Sequence, residues 1–190
     1  MTDPETAIAD TRRWLERAVI GLNLCPFAKA PHVKGQIHFA ACTGGTRRDL
    51  LARLRAELLA LAAADPAERE TTLLVVPDQF ADFLDFNDFL DEAEALLDAL
   101  DLQGVLQIAP FHPRFQFEGT APEDIGNASN RSPYPTLHLL REDSVDRAVQ
   151  AFPEAEAIWQ ANVETLERLG PEGWAALGVA ASGEKPPERS

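Results

Sequence analysis

The chain is poor in bases and in sulfur. Only 17 Lys and Arg oppose 31 Asp and Glu, leaving a net charge of -14. A surface of that sign repels phosphate backbones and anionic lipid, which argues against nucleic acid or membrane as partners. There are 2 cysteines, Cys25 and Cys42. That is too few for a disulfide framework or a thiolate zinc cage, and a reducing, cytoplasmic setting is expected. No apolar run approaches the ~20 residues of a membrane-spanning helix. Asp3, Glu5 and Asp10 stand where a secretory leader would be basic and then apolar, so no leader is expected.

Hydrophobic residues make up 45% of the 190 positions, enough for a sizeable core. Asp3-Pro4-Glu5 opens a helix with a cap, a first-turn proline and an acid at the positive helix end. Ile8, Leu15, Ala18, Val19 and Leu22 share its apolar face, and Pro26 breaks the pattern. Residues 36–42 alternate as a half-buried strand, with Ile37, Phe39 and Ala41 on one face. After the Gly44-Gly45 turn, 47–64 is a leucine-striped helix; 72–76 is a short central strand ended by Pro77. A helix over 83–100, strands over 104–108 and 136–140, and helices near 144–149 and 154–169 follow, the last closed by Gly170-Pro171.

This alternation predicts a single α/β domain over 1–179. A mixed, largely parallel sheet of about four strands is expected, with N- and C-terminal helices added. Right-handed crossovers predict that the first three strands are parallel neighbours, while the fourth is free to run either way. The small, polar residues 180–190 read as a disordered tail.

The connection over 111–135 is too long for an idle loop in a compact domain. Phe111, Phe115, Phe117 and Tyr134 need cover from water, and its prolines lower the entropy cost of ordering. An ordered, site-forming segment is expected. His112 lies just past a strand end, where open α/β sheets place ligands. Arg114 and Arg131 are the segment's only bases. Each offers a planar fork to a carboxylate or phosphate, or else pairs with Glu118, Glu123 or Asp124. His138 shares a strand face with Thr136 and Leu140, and His38 and Gln107 are candidates to make that sheet face polar.

Pro26 suits the first turn of a short helix capped by Cys25, where amides and dipole lower a thiol pKa from ~8.5. A small buried hydrophobe is the equal alternative. Asp78, Asp82, Asp85, Asp88 and Asp91 read as a cap and a solvated helix face, with a metal cluster as the alternative.

Three strings carry a resemblance: Gly21-Leu22-Asn23-Leu24-Cys25-Pro26-Phe27, Phe111-His112-Pro113, and Asn130-Arg131-Ser132-Pro133-Tyr134-Pro135 running on through Leu137-His138-Leu139-Leu140-Arg141-Glu142. Over residues 7–177 the chain resembles the uncharacterised bacterial family numbered 1415 among the domains of unknown function. The resemblance implies a bacterial protein of this length and assigns no activity.

Two functions fit these residues. The first is a small enzyme acting on an anionic small molecule. Cys25 would be nucleophile, His112 general base, Asn130 an orienting amide, and Arg131, Tyr134 and Arg114 the substrate contacts. In a metal-dependent version, Cys25, His112 and His138 would hold zinc or another transition metal with one position open. The second is a non-catalytic module in which Asn130, Arg131 and Tyr134 bind an anionic small molecule or peptide end, with Cys25 in the packing.

Overall fold

A computed structural model describes residues 1–151 and 155–183. The expected helix start at Glu154 and the tail over 184–190 lie outside the described residues. Helix α1 (Pro4–Trp14) is capped by Asp3, whose carboxylate accepts the Thr6 amide at 2.8 Å, and it widens into a π-helical stretch, Leu15–Ile20. The short α2 (Lys29–Val33) leads to strand β1 (Ile37–Ala41). Helix α3 (Arg47–Ala63) starts in a capping box between Thr46 and Asp49. Then come β2 (Thr71–Val75), α4 (Phe83–Ala99), β3 (Leu106–Phe111), a 3-10 turn (Ile125–Asn130), β4 (Thr136–Arg141), α5 (Glu142–Ala151) and α6 (Ala155–Ala176). Gly170, with φ 67°, breaks α6, and the chain resumes helical shape after it instead of stopping there.

The sheet is mixed, in the order β1-β2-β4-β3. β1 runs parallel to β2, and β4 runs antiparallel to both β2 and β3. The first three strands therefore share a direction, but β2 and β3 are not the neighbours that simple crossovers predict, because β4 inserts between them. Two local features favour this order. Pro110 lies within β3 and has no N–H for a second partner, which suits an edge. Leu137 and Leu139 of β4 are completely buried, which suits a centre.

One sheet face packs Ala40, Leu74, Leu106, Leu137 and Leu139 against Leu50, Leu54, Leu58 of α3 and Phe86, Phe89 of α4. Each fully buried leucine there contributes roughly 1.5–3 kcal/mol. The other face is covered by α1 and its π-helical extension, with Trp14, Leu15, Ala18 and Val19 over Ile37, Phe39 and Phe111.

The first residues of the expected tail are hydrogen-bonded to α1. Arg13 donates to the Gly178 and Ala180 carbonyls, and Ser182 donates through both N–H and O–H to Asp10 at 2.7 Å. A small polar segment of bend and turn is held here because a buried carboxylate on α1 needs donors. Nothing in the tail's own composition signals that.

Candidate functional site

Residues 111–135 are folded around one buried amide. The Asn127 side chain is fully buried. Its Oδ1 accepts the Phe117 amide and the Thr120 hydroxyl, each at 3.0 Å, and its Nδ2 donates to the Ala121 carbonyl at 2.9 Å. Arg131 adds a second tie, donating to the Phe115 carbonyl at 3.1 Å and the Pro122 carbonyl at 2.7 Å. Phe115 stacks on Phe83 and Phe117, with ring centroids 5.0 and 4.9 Å apart. The segment caps the C-terminal ends of β2 and β3 beside the start of α4, where sheets of this class receive ligands.

His112 is the hinge of the arrangement. It is 1% exposed and its ring lies between Phe83 and Phe86, 5.4 Å from each. Its Nδ1 accepts the Arg114 amide at 3.0 Å, which places the proton on Nε2, and Nε2–H donates to the Phe80 carbonyl at 2.9 Å. Burial depresses its basicity below the ordinary imidazole value, so the ring is neutral at pH 7. Phe80 has φ 58°, a left-handed conformation that costs a non-glycine residue about 1–3 kcal/mol. Its carbonyl bond to His112 and its ring contacts with Phe86 and Phe89 hold it there.

Two cavities flank the Pro113-Arg114 wall. One, of about 490 Å³, is lined by Asp82, Phe83 and Leu84 at the start of α4, by Gln116 and Pro122, and by Arg114 and Arg131. The other, of about 320 Å³, lies between Pro77-Ala81, His112-Arg114 and Pro133-Pro135. The larger has two guanidiniums against one carboxylate, in a chain of net charge -14. Arg114 is 61% exposed, lies 3.6 Å from Asp82 and donates to the Ala81 carbonyl. Arg131 is half-buried, and among the described residues no acidic side chain pairs with it. Glu118, Glu123 and Asp124, the acids of the same segment, leave it to neutral carbonyls. Desolvation lowers its pKa, though a guanidinium keeps its charge in proteins.

The other candidate residues are placed elsewhere or already engaged. Cys25 packs on the α1 side of the sheet with the cluster around Trp14, whereas His112 packs on α4 at the opposite face. A Cys25–His112 nucleophile–base pair is therefore not assembled. No helix begins at Pro26 either; Pro26-Phe27 form a turn and α2 starts at Lys29. Burial pushes the Cys25 thiol up, outweighing the amides of Phe27 and Ala28, so the expected lowered pKa is reversed. Asn130 meets His112 only through its backbone carbonyl, which accepts the His112 amide at 3.2 Å. Its side chain accepts from Ser129 and does not orient His112.

Tyr134 borders the smaller cavity, but its hydroxyl donates to Asp10 at 2.8 Å, which raises its pKa further after burial. His138 lies on the α1-facing side, 6.0 Å from Phe111, and donates from Nε2 to Thr71 Oγ1 at 2.7 Å. Thr71 in turn donates to the Leu139 carbonyl at 2.6 Å, which fixes those roles. Gln107 shares that face, because it pairs with Leu140. His38 pairs with Thr72 on the opposite face and approaches Glu57 at 3.7 Å, so the three do not build one polar surface. Among the described residues no group of three His, Cys, Asp or Glu is placed to hold a metal ion. Cys25, His112 and His138 thus do not form a ligand set, and the aspartates of α4 do not either.

A family model described as "Protein of unknown function (DUF1415)" matches residues 6–176, most of the chain. The chain belongs to the DUF1415 family. No curated protein and no solved structure matches it. For this member of DUF1415, sequence reasoning missed Asp10, Asn127 and Phe80. Asp10 entered the sequence reading only as an acid where a leader would be basic and then apolar, yet it is 1% exposed and accepts from Tyr134, Arg13 and Ser182. Desolvation pushes its carboxyl up, and those bonds together bring it below the ordinary value. Asn127 lies within the long connection and no local pattern marks it, yet it is fully buried.

Proposed function

We propose that this protein binds an anionic small molecule, a phosphate or carboxylate, in the cavity between Arg114 and Arg131. The observation that carries this reading is the half-buried Arg131 guanidinium on the cavity wall, with no acidic partner among the described residues. A cation held by neutral carbonyls in a strongly acidic protein leaves a local positive potential, and a planar fork suits a two-oxygen anion. The first turn of the 17-residue α4 lies on the same wall and adds its positive dipole end. Cys25 is not part of this site, so thiol alkylation leaves binding intact.

Calorimetric titration with inorganic phosphate at low salt tests the proposal. Saturable one-site binding is expected, weakened several-fold in Arg114→Gln and at least about tenfold in Arg131→Gln, with Arg131→Lys between. Arg114 is mostly exposed, so its variant keeps wild-type stability and reports binding alone. Absence of binding to wild-type protein, or equal binding by both Gln variants and wild type, overturns it.

A further inference from the structure

We infer that the ligand carries a flat apolar ring attached to its anionic head, an aryl phosphate or aryl carboxylate, and that the ring enters the smaller cavity. The inference rests on the anion site proposed above, because the two cavities share Pro113 and Arg114 as a common wall. A head seated on Arg114 and Arg131 therefore has a second compartment directly beside it.

The smaller compartment has polar atoms on its lining, but they are engaged within the protein. Both His112 nitrogens are bonded, to the Arg114 amide and the Phe80 carbonyl. The Ala81 carbonyl accepts from Arg114. The Asp78 carboxylate accepts the Thr2 amide and hydroxyl on one oxygen and the Gly44 amide on the other, at 2.7–2.8 Å. The Tyr134 hydroxyl donates to Asp10, and Gln79 Nε2 donates to the Gly44 carbonyl. The prolines of this wall have no N–H to offer, and the Pro135 carbonyl accepts from Val76. With these groups turned to partners within the protein, the proline rings, Phe80 and Tyr134 supply the apolar part of the wall. A space of about 320 Å³ exceeds the ~150 Å³ that accommodates benzene in a protein interior. Against the proline side of this wall an apolar group is favoured, because a polar one would give up water there without new partners.

The test compares phenyl phosphate with inorganic phosphate by calorimetry, in wild type and in Ala81→Trp, which places an indole into the smaller compartment. The expected wild-type result is at least about tenfold tighter binding of phenyl phosphate, from the apolar surface removed from water. In Ala81→Trp the ratio of the two affinities falls to near one. Phosphate binding with no wild-type gain for the phenyl ester overturns this inference and leaves the anion site standing. A ratio unchanged in Ala81→Trp overturns it too, by placing the ring elsewhere. Failure of both probes to bind wild type overturns the inference together with the anion site.

Discussion

At pH 7 the His138 imidazole is neutral, and acidification forces a proton onto a half-buried ring on the α1-facing side of β4, beside Phe111. Its hydrogen bond from Nε2 to Thr71, the one it makes among the described residues, is already made by the neutral form and gives the cation nothing more. Burial lowers its pKa from the ordinary 6.5 to about 4. The unfolded chain therefore takes up this proton first, near pH 6.5, and the folded chain only near pH 4. Between those values the unfolded state binds more protons, so stability is complete above pH 6.5 and falls as pH drops toward 4. At ~1.4 kcal/mol per pH unit, the interval is worth ~3 kcal/mol. Urea unfolding of wild type and His138→Gln at pH 7 and pH 4 isolates the contribution. His112 and His38, also lowered by burial, contribute in the same direction but equally in both proteins. The variant is expected to lose about 2–3 kcal/mol less than wild type on acidification. Equal losses, within about 0.5 kcal/mol, would mean that the ring is solvated and the argument from burial is wrong.

Asp10→Asn removes the charge that Arg13, Tyr134 and Ser182 converge on. A loss of about 3 kcal/mol is expected for a broken buried charge pair. Faster proteolysis within 177–183 should accompany it; a loss under about 1 kcal/mol with unchanged cleavage would show that this carboxylate does not hold the segment. The Cys25 thiol, with its pKa raised by burial, is expected to react with a disulfide reagent at pH 7.5 more slowly than an unfolded peptide thiol, and to speed up in urea. Rapid labelling of the folded protein would restore a reactive-thiol reading.

The helices and strands were legible because their signals are local. The Asp3 and Thr46 caps, the leucine stripe of α3 and the five buried residues of β2 each follow from a few neighbouring positions. Strand order was not, since the insertion of β4 depends on how residues 111–135 fold back. Pro110 was the available clue, an edge-strand residue that falls beyond the strand expected over 104–108. At the site, the importance of the segment was readable from its aromatics and prolines, and Arg114 and Arg131 do reach one cavity. The residue types Cys, His and His suggested a catalytic set, but type does not fix the face of the sheet. Phe111 turns toward Trp14 while His112 turns toward Phe86, and that one-residue alternation separates His112 from Cys25. Asp10 and Tyr134 find each other across 124 residues, a pairing that no local pattern records.

Titration of wild type and Arg131→Gln with inorganic phosphate, with folding of both checked by urea unfolding, bears most directly on the Arg131 guanidinium held by neutral carbonyls. Saturable binding by wild type and at least about tenfold weaker binding by a folded Arg131→Gln is the expected result. A folded Arg131→Gln that binds phosphate as tightly as wild type would contradict it.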